Sequence, residues 1–260
     1  MNLNNYVTVI KEIAVQAGEK IMEFYQTDFD NSIEIKADNS PLTIADKAAN
    51  EIIVKKLSQN FPKFAILSEE NKNDSSRLNN DWCWIVDPLD GTKEFIKKND
   101  EFTVNIALAY QQKIVLGVIY VPVTETLFYA TKGTGAFKEV KGSKTKINVS
   151  DKTTNLNFVG SKSHSGEKEQ QLLAKKANLI KGILSAGSSL KGTMVAEGIA
   201  DVYYRFGYTC EWDTAAMQCI IEEAGGIFRQ LDNTEMVYNR ENNLNEKGFY
   251  IVNNQNNIWV

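Results

Sequence analysis

Hydrophobic residues recur every three or four positions near the start of the chain, which predicts an amphipathic helix there. Its apolar positions are Tyr6, Val9, Ile10, Ile13, Ala14, Ala17, Ile21 and Phe24. A second helix is predicted to begin near residues 41–43 and to end at 61–62, where a proline interrupts the pattern. The chain therefore opens with two helices.

Short apolar runs follow the two helices and predict a series of strands. These strands cover residues 64–67, 82–86, 102–110, 113–121 and 126–130. The first two each lead into an acidic segment. The third and fourth face each other across Gln111 and Gln112, which predicts a hairpin.

The segment 141–154 is polar, carries few large apolar residues, and is the predicted domain boundary. It divides the chain into an N-terminal α+β domain, 1–150, and a C-terminal α/β domain, 151–260. Strands and helices alternate in the second domain, which predicts a layered α/β arrangement. The strands are predicted at 157–161, 180–186 and 201–206, and the helices around 168–177, 190–197 and 213–224.

Composition and charge narrow the possible classes of function. The 260 residues are 43% hydrophobic and 24% charged, which is typical of a folded chain with one or two domains. A net charge of −4 disfavours a nonspecific binder of nucleic acid polymers. No stretch approaches the roughly 18 consecutive apolar residues that span a bilayer. The N-terminus lacks a signal-peptide pattern, and the three cysteines lack paired spacing. These features together predict a cytoplasmic protein.

Two carboxylates follow the predicted strand 82–86. Pro88 has no N–H and cannot continue a hydrogen-bonded ladder, so the chain is predicted to leave the sheet there. Asp87 and Asp90 are close enough on such a turn to converge on one point, and the carbonyl of Leu89 lies between them. This segment is a candidate cation site.

Further polar groups lie beside these carboxylates. Gly91 permits close approach of the backbone to a ligand, and the N–H groups of Gly91 and Thr92 can face an anion if a helix begins there. Glu69 and Glu70 follow the strand 64–67 in a similar way. Two strand ends thus offer hard oxygen ligands, which Mg²⁺ prefers together with phosphate and water.

Each acidic motif also has a purely structural explanation when it is taken alone. An Asp-Gly pair after a strand is common in turns, and a Glu-Glu pair is common on solvated surfaces. Asp213 alone is explained as the N-cap of a helix that begins at Thr214. The joint spacing of the three motifs favours a functional site.

Three segments resemble the signature segments of the inositol-monophosphatase superfamily and stand in the order of that family. They are 68–70 (Ser-Glu-Glu), 84–92 (Trp-Ile-Val-Asp-Pro-Leu-Asp-Gly-Thr) and 211–216 (Glu-Trp-Asp-Thr-Ala-Ala), and matching segments run from about residue 41 to residue 226. The resemblance implies an α/β fold, the layered αβαβα sandwich of this family. It places the active site between the two predicted domains.

Within the superfamily, the chain is most similar to the bacterial 3′(2′),5′-bisphosphate nucleotidases. Residues 93–95 read Lys-Glu-Phe, where inositol monophosphatases typically have Thr-Asn-Phe, and segments 187–191, 195–198 and 204–207 also look like the nucleotidase pattern. The resemblance implies hydrolysis of a small phosphorylated nucleotide, 3′-phosphoadenosine 5′-phosphate, to AMP and phosphate. It also implies a role in sulfur metabolism, sensitivity to lithium, and a monomer or homodimer.

The resemblance further implies two or three Mg²⁺ ions, held by acidic side chains and one backbone carbonyl. The implied ligands are Glu69, Asp87 and the Leu89 carbonyl for the first ion, and Asp87, Asp90 and Asp213 for the second. Thr92, hydrogen-bonded to Asp46, would help to deprotonate the attacking water. The chain has no motif for a covalent phosphoenzyme, so direct attack by water is expected.

The resemblance places Lys191 and Arg205 near the phosphate that is not cleaved. Two cations suit a substrate with two phosphates, although a solvated Lys at a helix start and an Arg on a sheet edge would also explain them. His164, the only histidine, can contact the base or ribose or can cap its own loop. The other implied substrate-binding residues are Gly91, Thr92, Ser163, Gly187 and Ser188.

Two alternative functions remain open at this stage. An inositol monophosphatase-like enzyme or a sugar phosphatase would use the same metal site, so only the substrate pocket separates it from a nucleotidase. A catalytically silent protein that binds a phosphorylated nucleotide belongs to a different class. The presence of every implied ligand and of Thr92 and Asp46 argues against the catalytically silent protein.

Overall fold

The computed structural model describes residues 3–27, 34–35, 41–71, 74–161 and 166–260. None of the helices in these ranges is long and apolar enough to cross a membrane. The helices are α1 (Leu3–Tyr25), α2 (Ile44–Asn60), α3 (Thr92–Ile96), α4 (Glu167–Lys175), α5 (Leu190–Ala196) and α6 (Glu211–Glu223). The strands are β1 (Glu34–Ile35), β2 (Pro41–Leu42), β3 (Ala65–Ser68), β4 (Trp82–Asp90), β5 (Thr103–Tyr110), β6 (Lys113–Val121), β7 (Thr126–Thr131), β8 (Gly135–Val140), β9 (Ser143–Ile147), β10 (Leu156–Ser161), β11 (Ile180–Ala186), β12 (Val202–Arg205), β13 (Thr209–Cys210), β14 (Ile227–Gln230), β15 (Leu244–Asn245) and β16 (Phe249–Val252).

The larger sheet has seven strands in the order β3-β4-β5-β6-β7-β8-β9. The β3–β4 pair is parallel, and the pairs from β4 to β9 are antiparallel. Successive side chains of a strand point to opposite faces, so Trp84 and Val86 pack with α1 and α2 while Cys83 and Ile85 pack with α6. Because helices cover both faces, the central strands are continuous apolar runs.

The smaller sheet has five strands in the order β11-β10-β12-β16-β14. Val202 and Tyr204 of β12 pack on one face with Leu172 of α4, whereas Tyr203 packs on the other face in a cluster that contains α5 and α6. The layers are therefore α1 and α2, the seven-stranded sheet, α5 and α6, the five-stranded sheet, and α4. This arrangement confirms the predicted αβαβα sandwich.

Local predictions succeeded where the apolar pattern was strong. The predicted hairpin is formed by β5 and β6, and both N-terminal helices are present. The strand β9 (Ser143–Ile147), at the edge of the larger sheet, lies within the predicted boundary segment 141–154 and was not predicted. An edge strand with exposed side chains needs few apolar residues, so its pattern is weak.

The division at residue 150 stays a prediction. The two large sheets lie on either side of that residue in the sequence. One hydrophobic cluster, however, contains Ile85 and Ile119 from the larger sheet together with Tyr203 and Ile251 from the smaller one. The helices α5 and α6 pack between the sheets and contribute to this shared core.

Gly117 of β6 lies directly beneath α6, and we expect Gly117→Ala to destabilise the fold. A Cβ atom at this position would lie 2.5 Å from the carbonyl oxygen of Ala216 and 2.9 Å from the Cβ of Cys219. Overpacking of this kind costs about 1–3 kcal/mol. The midpoint of urea unfolding measures the effect.

Gly182→Ala on the edge strand β11 is the matched control. Its new Cβ would meet only the side-chain oxygen of Asn157, at 3.1 Å. Equal unfolding midpoints for the two variants would show that α6 is not held this closely against β6.

Candidate active site

Three carboxylates meet at the junction of the two sheets. Asp87, Asp90 and Asp213 each offer one oxygen, and the three oxygens lie within 4.8 Å of one another. The first two belong to β4 and the third to the first turn of α6. All three line a cavity of about 250 Å³, a size that suits a small ligand rather than a polymer.

A β-bulge turns two of these carboxylates toward the same side of the sheet. Asp87 pairs with Asn105 and Asp90 pairs with Thr103, so three steps along β4 correspond to two steps along β5. The prediction that the chain leaves the sheet at Pro88 was wrong, because pairing resumes at Asp90. Pro88 lies inside the bulge, where the ladder is interrupted and a missing N–H is tolerated.

The third carboxylate is fixed by the start of α6. The helix begins at Glu211 with Cys210 as its N-cap, so the interpretation of Asp213 as the N-cap was wrong. One oxygen of Asp213 accepts the backbone N–H of Cys210 at 2.5 Å. A carboxylate in the first helical turn is stabilised by this hydrogen bond and by the helix dipole.

The cluster concentrates negative charge on one buried residue, Asp87, and two half-buried ones, Asp90 and Asp213. Burial raises the pKa of Asp87 well above its usual value, and the negative charges of Glu69, Asp90 and Asp213 raise it further. Burial also raises the pKa of Asp213, to about 8, with a further contribution from Asp90. A bound cation would favour the ionised carboxylates, because its positive charge offsets both the cost of burying them and their mutual repulsion.

The remaining predicted metal ligands lie at the same cavity. Glu69 begins a 3₁₀ turn directly after β3, and Leu89 lies in the bulge of β4; both line the cavity. Each of the predicted ligands offers a carboxylate or carbonyl oxygen. This donor set fits a hard divalent cation such as Mg²⁺ and disfavours zinc, which binds nitrogen and sulfur.

The predicted pair of Thr92 and Asp46 is in contact beside the cluster. The Thr92 hydroxyl donates to Asp46 Oδ1 at 3.0 Å, with the Leu89 carbonyl as a longer alternative acceptor at 3.3 Å. Asp46 is 1% exposed, and its other oxygen accepts the backbone N–H and the hydroxyl of Thr43, the N-cap of α2. The carboxylate is therefore held in one orientation, with one oxygen toward Thr92.

Two cationic side chains, Lys191 and Arg205, also line the cavity. The ammonium group of Lys191 is buried and donates to the carbonyl of Ser188 at 2.6 Å and to that of Ala186 at 3.4 Å. Arg205 makes one long contact, from Nη2 to the carbonyl of Tyr208 at 3.4 Å. Burial lowers the pKa of Lys191, while the negative charge of Asp90 acts in the opposite direction.

The loop before α5, residues 187–189, lines the cavity beside Lys191 and Arg205. Ser188 has a φ of 41°, a left-handed conformation that is uncommon for a residue with a side chain. Its buried hydroxyl and the buried Nε of Arg205 make no hydrogen bond within the described chain. Gly187 lines the cavity as predicted, and its N–H donates to Glu101 Oε2 at 2.9 Å.

Close packing explains the glycine that follows the bulge. Gly91 has a φ of 95°, and a Cβ there would lie 3.0 Å from the carbonyl oxygen of Glu101 and 3.2 Å from the Cβ of Ser188. Gly91 and Thr92 both line the cavity at the start of the short helix α3. The predicted substrate residues Ser163 and His164 lie outside the described residues.

Sequence reasoning missed several residues that the fold brings to the carboxylates. Ser189 and Asn105 both donate to Asp90, at 2.6 and 3.1 Å, and Tyr208 places a largely exposed ring at the cavity. Ser189 lies inside the segment 187–191, between Ser188 and Lys191, and the resemblance of this segment to the nucleotidase pattern was the available signal. Asn105 lies inside an apolar strand, where a single buried amide suggests a specific partner.

Comparisons with known proteins agree with this geometry. The sequence profile described as the inositol monophosphatase family matches residues 2–257. The chain is 43% identical over 247 residues to the 3′(2′),5′-bisphosphate nucleotidase CysQ of Buchnera aphidicola, covering 93% of this chain and 91% of the relative. It is 40% identical over 243 residues to the CysQ nucleotidase of Salmonella typhimurium, covering 93% and 97%.

A solved structure gives the same result at the level of the fold. The crystal structure of CysQ from Bacteroides thetaiotaomicron, a bacterial member of the inositol monophosphatase family, superposes with a TM-score of 0.83 at 41% identity. The match covers 98% of this chain and 100% of the other. The extragenic suppressor protein suhB from Bartonella henselae superposes with a TM-score of 0.80 at 27% identity, covering 96% and 94%.

The carboxylate cluster predicts a pH-dependent stabilisation by Mg²⁺ that Asp213→Asn reduces. Because the folded-state pKa of Asp213 is raised to about 8, the associated stability is present below pH ~4 and is lost as the pH rises through ~8. Metal-free protein should therefore lose stability over this interval, and the increase in Tm on adding Mg²⁺ should be larger at pH 8 than at pH 6. Thermal unfolding in chelator and in Mg²⁺ measures both quantities.

In Asp213→Asn we expect the metal-free Tm at pH 8 to rise by at least ~3 °C, roughly 1 kcal/mol, and the Mg²⁺ effect to shrink. Asp151→Asn, which removes an exposed carboxylate, should leave both values unchanged. The same Mg²⁺ effect in the Asp213 variant and the native protein would contradict the assignment of this residue to the cation site.

Proposed function

This chain is a phosphatase that belongs to the inositol monophosphatase family, and we propose that it removes the 3′-phosphate of 3′-phosphoadenosine 5′-phosphate to give AMP and phosphate. The relatives that share 43% and 40% of its residues are both named 3′(2′),5′-bisphosphate nucleotidases. They match almost the whole chain, which supports the same activity here.

The observation that carries this proposal is the pair of unpartnered donors at the same cavity as the carboxylates. Buried polar groups without partners are rare in folded proteins and cost about 1–3 kcal/mol each. The Ser188 hydroxyl and Arg205 Nε both lie at the cavity and lack partners within the described chain. A second phosphate on the substrate would supply acceptors for both donors.

Lys191 adds a further donor and a positive charge for a bound anion. Its ammonium group has three N–H donors, and two carbonyls of the loop before α5 occupy two of them. One donor and the positive charge remain for a ligand oxygen. A substrate with one phosphate at the carboxylate cluster leaves these groups without use, so the cavity favours a bisphosphate over an inositol or sugar monophosphate.

We propose Mg²⁺ as the cofactor, with two or three ions held by Glu69, Asp87, Asp90, Asp213 and the Leu89 carbonyl. The donor set and the raised pKa of Asp87 and Asp213 support a hard divalent cation. When bound, the ions supply the positive charge that acidifies a water and neutralises the phosphoryl oxygens. Replacement of a weakly held ion by Li⁺ is the expected route to lithium inhibition.

The proton of the attacking water is assigned to Thr92 and Asp46. Because the Thr92 hydroxyl donates to Asp46 Oδ1, its oxygen keeps lone pairs for a proton from the cavity side. Thr92 accepts that proton as its own passes toward Asp46. The water oxygen forms a new bond to phosphorus, the bond to the ribose 3′-oxygen breaks, and that oxygen takes up a proton from solvent water. Asp46 returns the proton that it received to solvent, which completes the balance.

The cysteines and the lining of the cavity bear on the compartment and the oligomeric state of the enzyme. None of the three cysteines forms a disulfide within the described residues, which fits a reducing compartment, and we propose a cytoplasmic enzyme. The carboxylates, Thr92, Ser188 and Arg205 all belong to one chain. A monomer therefore holds these groups, and a homodimer would carry two independent sites.

The direct test compares substrates in the presence of Mg²⁺. We expect kcat/KM for 3′-phosphoadenosine 5′-phosphate to exceed that for inositol 1-phosphate by ~100-fold or more, about 2.7 kcal/mol in transition-state binding. Release of phosphate at equal, subsaturating concentrations measures the ratio. A preference for inositol phosphate would overturn the pocket assignment, and no release from either substrate would indicate a silent binding protein or a different substrate.

Arg205→Gln should remove the preference for the second phosphate. We expect kcat/KM for the bisphosphate to fall by ~10- to 100-fold, since hydrogen bonds to charged groups contribute about 1.5–3 kcal/mol. Adenosine 3′-monophosphate, which lacks the 5′-phosphate, should change by less than ~3-fold.

Arg229→Gln is the matched control, because that guanidinium pairs with Glu222 at 3.0 Å and does not line the cavity. Equal losses on the two nucleotides in the Arg205 variant would mean that this side chain does not contact the 5′-phosphate.

A further inference from the structure

A closed hydrogen-bond network surrounds one oxygen of Asp90. Its Oδ2 accepts the hydroxyl of Ser189 at 2.6 Å and the amide of Asn105 at 3.1 Å. The Asn105 amide also donates to Ser189 Oγ at 2.9 Å, and its carbonyl accepts the hydroxyl of Thr103 at 2.9 Å. Thr103, Asn105 and Ser189 are each at most 1% exposed, so water does not compete for these groups.

The donors and acceptors of this network have a single consistent assignment. Ser189 has one proton, and the short distance to Asp90 accounts for it. Asn105 has two amide protons, and one goes to Asp90 while the other goes to Ser189. Thr103 gives its proton to the Asn105 carbonyl, since its distance to Asp90 Oδ2 is 3.5 Å. Each proton is thus committed, and the amide of Asn105 has one orientation.

The network also joins β5 of the larger sheet to the helix α5. Thr103 and Asn105 belong to β5 of the larger sheet, whereas Ser189 is the N-cap of α5. The hydrogen bond from Ser189 to Asp90 connects residues 99 positions apart in the sequence. Ser189 Oγ also lies 3.4 Å from the backbone carbonyl of Asp213, at the start of α6. The orientation of Asp90 is therefore tied to the elements that carry the third carboxylate.

We propose that Ser189 and Asn105 are positioning residues, which saturate one oxygen of Asp90 and so direct the other oxygen to the divalent cation of the proposed function. Groups that orient a metal ligand typically change metal affinity by about 10–100-fold when they are removed. The network fixes the ligand before the cation binds, so the cation does not have to order it. This inference rests on the proposed function only for the presence of a divalent cation.

Cation binding without substrate tests the proposal. Titration calorimetry with Mg²⁺, and with Mn²⁺ as a second probe, should show that Ser189→Ala and Asn105→Ala each weaken binding by ~10-fold or more. Ser189→Thr, which keeps the hydroxyl, should restore most of the affinity. The double variant should lose less than the product of the two single losses, because both residues act on the same oxygen.

A purely structural role gives a different pattern. Thr193→Val on α5 removes another buried hydroxyl, one that donates to the carbonyl of Leu190, and serves as the matched control. If Ser189→Ala lowers the Tm of the metal-free protein as Thr193→Val does but leaves the affinity for Mg²⁺ and Mn²⁺ unchanged, the positioning role is wrong. Unchanged affinity in Asn105→Ala would overturn it equally.

The test separates this inference from the proposed nucleotidase activity. Calorimetry uses no nucleotide, so a chain that binds Mg²⁺ in a Ser189-dependent way supports the inference even if it releases no phosphate from 3′-phosphoadenosine 5′-phosphate. In the opposite case, normal phosphate release with cation binding that does not depend on Ser189 would overturn the inference and leave the proposed function intact.

Discussion

The mutual repulsion of three carboxylates at one partly buried cavity is the constraint on which the site depends. Asp87, Asp90 and Asp213 would separate if their backbones were free to move, and holding them together raises the pKa of Asp87 and Asp213. Their backbones are instead fixed by a bulged central strand and by the first turn of a packed helix. The extensive apolar core on both faces of the larger sheet supplies the stability that holds this charge in place.

The protein controls each carboxylate by engaging part of it. Asp213 accepts a backbone N–H, Asp87 accepts the N–H of Leu89 at 3.1 Å, and Asp90 accepts Ser189 and Asn105. Hydrogen bonds to the ionised form lower its free energy and fix its orientation at the same time. The cavity is thus organised for a cation by hydrogen bonds from the chain itself.

Another part of the cavity lining, formed by Ser188, Lys191 and Arg205, carries positive charge and hydrogen-bond donors. It offers positive charge at buried Lys191 and half-buried Arg205 and a strained loop at Ser188. A left-handed backbone at a residue with a side chain persists only where surrounding contacts hold it. Here the ammonium group of Lys191 holds the loop by donating to the carbonyls of Ala186 and Ser188. The carboxylate cluster and these cationic groups therefore line one cavity, and the proposed specificity for a substrate with two phosphates rests on this arrangement.

The sequence by itself determined the elements with strong apolar patterns and the residues grouped in short motifs. Asp87, Leu89, Asp90, Gly91 and Thr92 were identified together because a few consecutive residues on one strand end must lie close in space. The sequence did not indicate β9, whose exposed edge position needs few apolar residues, or the bulge that keeps Pro88 within β4.

Only the tertiary structure decided the contacts between distant segments. Ser189 reaches Asp90 across 99 positions and Thr92 reaches Asp46 across 46; the second contact was expected from a family resemblance and the first was missed. The carbonyl partners of Lys191 also depend on how the loop before α5 folds back on the helix. Such contacts arise from the packing of two sheets around shared helices, and a local pattern of residue types carries no information about which side chains that packing brings together.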